Sequence, residues 1–308
     1  MRACLYRRHG GPDVLEMADL PDPHPGPGQV LVALEAASVA PLDWKLRAGL
    51  LAQYFTPDFP KIPGRDGTGQ VMAIGAGVGN VLPGQRVAVM APPAPAAGCY
   101  ATMIAAEAAL TTALPDQLDM AEGAALVNSG LSALIACRTA GVTPGQRVLI
   151  HAGAGAVGGL LVQLCAHLGA EVSTTCHSRN LGYVRNLGAT HAIAYDGGDL
   201  TTLPPQDVVF DLVGGGVHEA SYPVLKRGGH LVWLAAAPIV ERGAEFGVMV
   251  TRAMIADDAA IVAEVLDLAA RKVLKAQIAD RLPLDQAAEA QWRLEAGQVS
   301  RGRLILQI

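Results

Sequence analysis

The stretch Val148-Leu-Ile-His-Ala-Gly-Ala-Gly-Ala-Val-Gly158 decides the fold. An apolar run leads directly into a G-x-G-x-x-G pattern, and an apolar segment with helical spacing follows it. Between a strand and a helix, Gly153 permits the tight turn, Gly155 lets the backbone approach a pyrophosphate, and Gly158 lets the helix pack on the strand. The pattern therefore predicts a dinucleotide-binding βαβ unit. Its predicted phosphate-binding residues are Gly153, Gly155, Ala156, Val157 and Gly158.

The pattern of strands and turns changes at about residue 120. Before this point, short apolar runs alternate with Pro/Gly clusters, which is typical of an all-β, barrel-like domain. After it, short apolar strands alternate with helical segments, which indicates βαβ units on a parallel sheet. The strands predicted for this sheet are residues 147–152, 171–176, 192–195, 207–213 and 230–235, with helices at 157–168, 180–187 and 217–226. The sequence therefore predicts an α/β protein whose second part is an open, doubly wound sheet.

The end of the strand after the glycine motif indicates which dinucleotide is bound. An acidic residue at this place binds the adenosine ribose of NAD, whereas the sequence reads Thr174-Thr-Cys-His-Ser-Arg-Asn180, without a carboxylate. Hydroxyl groups and the guanidinium of Arg179 suit a 2′-phosphate, so NADPH is the predicted cofactor. Arg179 also fits a solvated helix start that Ser178 or Asn180 caps, and both interpretations can hold together. The residues predicted to contact the adenosine end are Thr175, His177, Ser178, Arg179 and Asn180.

The composition of the chain limits the kinds of partner that it is expected to bind. The net charge is −5, from 23 Lys and Arg minus 28 Asp and Glu, and no basic run is longer than a pair, so neither nucleic acid nor an anionic membrane is expected as a partner. The N-terminal residues lack an apolar signal core, and charges or Pro/Gly interrupt every apolar run before transmembrane length, which predicts a cytoplasmic protein. The five cysteines lie more than ten residues apart, which predicts buried thiols rather than disulfides or a CxxC zinc site.

Six stretches of the chain form a pattern that extends over its whole length. They are Ala37-Ser-Val-Ala-Pro-Leu-Asp-Trp-Lys-Leu-Arg-Ala-Gly49, Pro63-Gly-Arg-Asp-Gly-Thr-Gly69, Gly84-Gln-Arg-Val87, His151-Ala-Gly-Ala-Gly-Ala-Val-Gly158, Asp211-Leu-Val-Gly-Gly215 and Arg301-Gly-Arg-Leu-Ile-Leu306. This pattern resembles the zinc-independent, quinone oxidoreductase-like branch of the medium-chain dehydrogenase/reductase superfamily. The resemblance implies a GroES-like, β-barrel-type catalytic domain at residues 1–120, completed by residues 248–308. It also implies a Rossmann NADPH-binding domain at residues 121–247, with the active site in the cleft. Relatives commonly form homodimers through the edge strand of the Rossmann sheet, which corresponds to residues 230–235 here.

The residues that would bind zinc in relatives are missing. Zinc-dependent relatives place a Cys early in the first domain and a His in a Gly-His-Glu stretch, whereas this sequence has Pro41-Leu-Asp43 and Gly64-Arg65-Asp66. A guanidinium does not ligate a cation, and no Cys or His lies near either stretch. The four-cysteine structural-zinc lobe of the family is replaced by the short loop 91–98. We therefore expect no metal. Without a Lewis acid, the resemblance implies hydride transfer from NADPH to an acceptor that is already electrophilic, such as a quinone or an α,β-unsaturated carbonyl.

The resemblance also implies further site residues. The cofactor contacts it adds are Ser132, Tyr195, Val213, Ala235 and Arg303. The family often has Asn at the position of Ala40, and its loss leaves Asp43, Trp44, Lys45, Tyr54 and Arg65 as the nearby polar candidates. Of these, Asp43, Tyr54 and Arg65 are the catalytic candidates. Asp43 and Arg65 with its neighbour Asp66 also fit a purely structural ion-pair cluster. These residues are also compatible with two other functions, namely an enoyl-thioester reductase and a non-catalytic NADPH-binding redox sensor.

Overall fold

The computed structural model describes residues 1–234 and 239–308. The chain divides into two compact units. The first unit contains Met1–Asn128, Asp257–Arg271 and Ala276–Ile308. The second unit contains Ser129–Ala256 and Lys272–Lys275.

Strands and helices alternate along the described residues. The strands are β1 (Arg2–Leu5), β2 (Glu16–Asp19), β3 (Gln29–Val39), β4 (Asp66–Ile74), β5 (Arg86–Met90), β6 (Met103–Glu107), β7 (Thr111–Ala113), β8 (Arg147–Ile150), β9 (Glu171–Cys176), β10 (His191–Ala194), β11 (Gln206–Asp211), β12 (Leu225–Trp233), β13 (Met249–Arg252), β14 (Ile278–Pro283) and β15 (Arg303–Gln307). The α-helices are α1 (Pro41–Arg47), α2 (Met120–Ala140), α3 (Ala156–His167), α4 (Leu181–Asn186), α5 (Gly216–Ser221), α6 (Gly243–Phe246), α7 (Ala259–Ala270) and α8 (Ala287–Glu295).

The first unit contains a two-stranded sheet, β1-β2, and a seven-stranded sheet with the order β14-β15-β3-β4-β5-β7, in which β6 also pairs with β3. Strand β3 alternates inward and outward residues, and its Val30, Val32 and Leu34 are buried in the core of this unit. The C-terminal strand β15 pairs antiparallel with β3, where Leu304 lies opposite Val39. The last residues of the chain thus belong to the same sheet as residues 29–39.

The second unit is a six-stranded sheet with the order β10-β9-β8-β11-β12-β13. All of its neighbouring strands pair in parallel. When the strands are numbered from β8, this order is 3-2-1-4-5-6, which is the order of a doubly wound dinucleotide-binding sheet. The predicted fold of the second part is therefore confirmed.

Three details of this sheet differ from the sequence prediction. The sheet has a sixth strand, β13, which the sequence analysis missed because it follows a Gly/Pro-rich passage and is only four residues long. The predicted helix 217–226 is wrong at its end, because α5 ends at Ser221 and β12 already begins at Leu225, opposite Gln206. The predicted edge strand 230–235 lies inside the sheet, between β11 and β13.

Helix α2 corrects the expectation that no apolar run reaches transmembrane length. Among the described residues it is the one helix that is long and apolar enough to cross a membrane by length and composition. However, 78% of its most apolar window is buried within the protein, which is typical of a core helix. The boundary between the two units falls within this helix, after Asn128.

Arg47 connects three segments of the first unit from a fully buried position. Its Nε donates to Oε1 of Gln291 at 2.8 Å, and its Nη1 donates to the carbonyl oxygen of Gly10 at 2.8 Å. Its Nη2 donates to Oε2 of Glu295 at 2.6 Å. A buried guanidinium is tolerated only when its hydrogen-bond donors are satisfied, and these contacts tie the end of α1 to α8.

We expect the substitution Arg47→Ala to lower the free energy of unfolding by about 3 kcal/mol, because it leaves a cavity and unpaired buried acceptors. Urea denaturation followed by circular dichroism measures this loss. Arg7→Ala is the matched control, since Arg7 pairs with Glu16 at the surface, and such pairs contribute about 1 kcal/mol or less. Equal losses in the two variants would contradict the role assigned to Arg47.

Candidate functional site

The strand order of the second unit reverses between β8 and β11. In open α/β sheets, ligands bind beyond the carboxyl ends of the strands at such a reversal. The segment after β8 contains the glycine motif, and the segment after β11 contains Val213. The candidate site therefore lies at the edge of the sheet where the sequence motif predicted it.

The turn between β8 and α3 depends on close approaches of backbone and side chains. A Cβ atom on Gly153 would lie 1.9 Å from Oγ1 of Thr174, and one on Gly158 would lie 2.2 Å from the carbonyl oxygen of Ala152. The left-handed backbone conformation of this turn falls on Ala152, with φ of 57°, and not on Gly153. Gly153 is thus required because Thr174 leaves no room for a side chain, which corrects the role of turn residue expected for it. The predicted close packing at Gly158 is confirmed.

Gly155 differs from the other two glycines of the motif. The nearest heavy atom to a Cβ atom added there would be the Ala152 carbonyl oxygen at 3.3 Å, so the space in front of Gly155 is otherwise open. Helix α3 begins at the next residue, and the first N–H groups of a helix have no partner within it. This open position and the adjacent N–H groups of Ala156 and Val157 fit a pyrophosphate.

A cavity of about 590 Å³ lies beside this turn and is lined mainly by apolar side chains. Its walls include Ala152 of the turn, Thr175 of β9, Ile193 of β10 and Tyr195 just after β10. Val213, after β11, lines the same cavity. Three predicted contact residues, Thr175, Tyr195 and Val213, are thus brought together beside the glycine turn. A cavity of this size and character suits a planar organic group.

The polar segment after β9 forms a short turn that is held by its own side chains. Nδ1 of His177 accepts a hydrogen bond from the backbone N–H of Arg179 at 3.3 Å. The His177 ring also lies edge-on to the Tyr195 ring, with 5.8 Å between centroids. Ser178 and Arg179 are exposed, whereas Asn180 is buried. Four of the predicted contacts therefore surround one corner of the site, and Asn180 points into the protein.

Asp196 is a site residue that the sequence analysis missed. Its Oδ1 accepts from the backbone N–H of Ser178 at 2.8 Å, and its Oδ2 accepts from Oγ of Ser178 at 2.7 Å. These hydrogen bonds lower the pKa of Asp196. The residue follows β10, and only the sheet order indicates that this strand lies beside β9. A search confined to the end of β9 finds no carboxylate, although the fold brings one to that place.

A buried hydrogen-bond network supports the floor of the site. Nε2 of His151 lies 3.1 Å from Oγ of Ser221, and its Nδ1 lies 3.2 Å from Oγ1 of Thr175. Since Ser221 donates its hydroxyl proton to the Val217 carbonyl oxygen at 2.8 Å, its oxygen accepts from His151 Nε2–H. The lowered pKa of His151 makes the ring neutral near pH 7, so its Nδ1 accepts from the Thr175 hydroxyl. Burial lowers the pKa of His151 to about 4, and the charge of Asp211 opposes this shift.

Asp211, at the end of β11, is the centre of a second buried network. Its Oδ1 accepts from the backbone N–H groups of Val213 and Gly214 at 2.9 and 2.8 Å. Its Oδ2 lies 2.8 Å from Nδ1 of His218, whose Nε2 lies 3.1 Å from the hydroxyl of Tyr222. The carboxylate thus fixes the shape of the segment after β11 that contributes Val213 to the cavity.

The catalytic candidates lie in the first unit, in different surroundings. Asp43 is buried, and its Oδ2 accepts from the Ala40 N–H at 2.8 Å and from the Tyr100 hydroxyl at 3.0 Å. Burial raises the pKa of Asp43 to about 6. Arg65 donates through Nη2 to both carboxylate oxygens of Asp257, at 2.6 and 2.5 Å.

Asp43 and Arg65 line one small cavity of about 10 Å³, which is the size of a single water molecule. Tyr54 is not among the residues that line it, and its side chain is 70% exposed. Within residues 1–234 and 239–308, no group of three or more His, Cys, Asp or Glu side chains is arranged to hold a metal ion.

The three remaining predicted cofactor contacts lie in different parts of the chain. Ser132 is a buried residue of α2 in the second unit. Arg303 is a buried residue of β15 in the first unit, where its Nη1 lies 3.5 Å from the Val39 carbonyl oxygen. Ala235 lies outside the described residues.

Comparisons with known proteins agree with this architecture. Residues 26–116 match the family model of the alcohol dehydrogenase GroES-like domain, and residues 187–306 match that of a zinc-binding dehydrogenase. A chloroplastic quinone-oxidoreductase homolog from Spinacia oleracea is 33% identical over 255 residues, which cover 77% of this chain and 76% of the relative. For two other chloroplast relatives, the matched part of the chain spans 61% of their length.

Solved structures match over the whole chain. The quinone oxidoreductase from Coxiella burnetii is 32% identical, covers 100% of this chain and 99% of its own, and superposes with a TM-score of 0.89. A mycobacterial protein solved in complex with NADPH is 28% identical, covers 100% of both chains and has a TM-score of 0.88. The chain belongs to the medium-chain dehydrogenase/reductase superfamily, in its quinone oxidoreductase-like branch. The predicted combination of a GroES-like domain and a Rossmann domain is confirmed.

The close contact at Gly158 generates a prediction about stability. We expect Gly158→Ala to lower the free energy of unfolding by about 3 kcal/mol, because the added Cβ would overlap the Ala152 carbonyl oxygen, although Ala favours a helix intrinsically. Thermal unfolding monitored by circular dichroism measures the change. Gly155→Ala is the control, since its Cβ would meet only the Ala152 carbonyl oxygen, at 3.3 Å rather than 2.2 Å, and its φ of −71° suits Ala. A Gly158→Ala protein as stable as the control would refute the overlap.

The buried neutral His151 generates a prediction about pH. An unfolded histidine has a pKa of about 6.5, so between pH 6.5 and 4 the unfolded chain binds more protons at this residue than the folded protein does. The stability that His151 contributes is therefore complete above pH 6.5 and is lost as the pH falls towards 4.

Relative to His151→Asn, the wild-type protein should lose roughly 3 kcal/mol of unfolding free energy between pH 7 and 4. Urea titrations of both proteins across this range measure the difference. The raised pKa of Asp43 acts in the opposite direction over part of the range, and the comparison of the two proteins removes its contribution. A constant difference between the two proteins would contradict the buried neutral state of His151.

Proposed function

We propose that this protein is an NADPH-dependent, zinc-free oxidoreductase that transfers a hydride to a quinone or to an α,β-unsaturated carbonyl. The observation that carries the proposal is the glycine turn at the strand reversal, with Arg179 at the end of the neighbouring strand. When bound, the nicotinamide cofactor supplies the hydride. The chain itself binds and orients the two reactants.

The residues of the second unit fit the parts of a dinucleotide phosphate. Gly155 and the N–H groups of Ala156 and Val157 would hold the pyrophosphate. The apolar cavity lined by Thr175 and Tyr195 would take the adenosine. The exposed guanidinium of Arg179 would pair with a 2′-phosphate, since its planar donors match phosphate oxygens. The similarity to a mycobacterial protein that binds NADPH supports this choice.

The zinc-free part of the proposal rests on the residues at the positions of the zinc ligands in relatives. The Asp43 carboxylate accepts hydrogen bonds from Ala40 and Tyr100, and the Arg65 guanidinium is paired with Asp257. A guanidinium repels a cation and offers it no lone pair. One matching family model is that of a zinc-binding dehydrogenase, and these residues favour a zinc-free member.

The absence of a Lewis acid from the proposed site determines the class of acceptor. An alcohol or a simple carbonyl needs its oxygen to be polarised by a metal or by an acidic side chain, whereas a quinone or an enone is electrophilic without a metal. The similarity to relatives named as quinone oxidoreductases supports a quinone as the acceptor. The structure gives no separate support to an enoyl-thioester reductase or to a redox sensor, and both become outcomes of the test.

The location, oligomeric state and partners of the protein are part of the same proposal. We propose a cytoplasmic homodimer whose partners do not include nucleic acid or a membrane. The net charge of −5 and the buried state of α2 support the absence of these partners. Within residues 1–234 and 239–308, strand β13 forms an edge of the parallel sheet, and such an edge supports pairing with a second copy.

We expect the purified protein to oxidise NADPH in stopped-flow experiments with quinones and enones as acceptors. Faster turnover with enoyl-CoA would favour an enoyl-thioester reductase. Tight NADPH binding without turnover on any acceptor would contradict an enzymatic function and favour a redox sensor.

Two controls accompany this experiment. Dialysis against EDTA should leave the rate unchanged, and a loss of rate that Zn²⁺ restores would contradict the zinc-free proposal. Gly155→Ala should raise the KM for NADPH at least about tenfold, because its methyl group occupies the space proposed for the pyrophosphate while the fold has room for it.

A further inference from the structure

The ends of β9 and β10 place two polar segments side by side. Cys176 is the last residue of β9 and pairs with Ala194, the last residue of β10. The N–H of Tyr195 donates to the Cys176 carbonyl oxygen at 3.0 Å, so the pairing continues beyond the strands. Ser178 and Asp196 therefore meet at the corner of the site where the adenosine end of the cofactor is proposed to lie.

The Asp196 carboxylate uses both of its oxygens on Ser178. One oxygen accepts from the backbone N–H at 2.8 Å, and the other accepts from the hydroxyl at 2.7 Å. Nδ1 of His177 lies 3.6 Å from the second oxygen. Tyr195, the residue before Asp196, lines the apolar cavity. Asp196 is thus held next in the chain to a residue that lines this cavity, and its side chain is one-third exposed.

This arrangement affects a 2′-phosphate and a 2′-hydroxyl in opposite ways. A phosphate has only acceptor oxygens, and it needs the same two Ser178 donors that Asp196 occupies. It also carries a negative charge, which Asp196 repels at short distance. A ribose hydroxyl donates to a carboxylate, so NADH gains a partner where NADPH meets a competitor. The Arg179 guanidinium, in contrast, attracts the phosphate. Arg179 makes no ion pair within residues 1–234 and 239–308.

We propose that Asp196 is a specificity-determining residue for the cofactor, because it occupies the Ser178 donors that the 2′-phosphate needs and thereby narrows the preference for NADPH over NADH. The inference rests on the proposed function, since it concerns the same cofactor site. NADPH binds when Asp196 leaves Ser178 and Arg179 pairs with the phosphate. NADH binds without this exchange.

The test compares dinucleotide binding to the wild-type protein and to Asp196→Asn. Asn retains the shape and one acceptor oxygen but not the charge. Fluorescence titration gives the Kd values of NADPH and NADH, and calorimetry with 2′,5′-ADP and 5′-ADP isolates the contribution of the 2′-phosphate. We expect Asp196→Asn to bind NADPH and 2′,5′-ADP about tenfold more tightly, with NADH unchanged or weaker.

Two variants serve as controls. Asp199→Asn makes the same change of charge on an exposed residue three positions along the chain, and it should leave the ratio of the two Kd values unchanged. Arg179→Gln should weaken NADPH and 2′,5′-ADP while leaving NADH unaffected. Melting temperatures without cofactor show whether any variant loses its fold.

The outcomes separate this inference from the proposed function. An unchanged Kd ratio in Asp196→Asn, or an equal shift in Asp199→Asn, overturns the role of Asp196 while NADPH binding by the wild type upholds the cofactor. Failure of the wild type to bind either dinucleotide overturns the proposed function, and the inference with it.

Discussion

The packing of Gly158 against the Ala152 carbonyl oxygen is the constraint on which the candidate site depends. Because there is no room for a side chain between them, α3 begins directly over the end of β8. This position aims the free N–H groups of the first turn of α3 at the carboxyl edge of the sheet. Gly155 then lies at the open side of the turn, where a phosphate fits. A helix displaced by one side chain would not present these groups together.

The two units manage buried polar groups differently. In the second unit, the carboxylate of Asp211 and the neutral ring of His151 hold the segments around the cavity by hydrogen bonds to backbone and side chains. In the first unit, Arg47 and Asp43 are buried with partners of their own and tie helices to loops. Every buried group of this kind costs desolvation free energy, so its hydrogen bonds serve mainly to make one geometry unique.

In the proposed site, cofactor preference is a balance of two opposite charges. Arg179 is near the turn after β9 in sequence and favours a 2′-phosphate, whereas Asp196 reaches the same corner from the next strand. The two residues are seventeen positions apart, and their competition exists only because β10 pairs with β9. A cofactor specificity predicted only from the end of β9 therefore includes the charge of Arg179 but omits that of Asp196.

Much of the fold was accessible from the sequence because its signals are local. The glycine motif, the turn residues and the alternation of strands and helices depend on neighbours within a few positions, so they predicted the doubly wound sheet and the position of the site. Strand β13 and the early start of β12 were missed, since four residues or a Gly-Gly interruption give too weak a periodicity. Gly153 was correctly singled out, but the reason, contact with Thr174, involves a strand 21 residues away.

The sequence by itself indicated the class of the protein, through its resemblance to a known superfamily, and the glycine turn after β8, which depends on residue type and short spacing. Only the tertiary structure decided that Asp196 bonds to Ser178, that His151 is a buried neutral ring, and that Asp43 and Arg65 meet while Tyr54 is exposed elsewhere. These contacts join residues that are far apart in the chain. They arise from strand order and burial, which no local pattern contains.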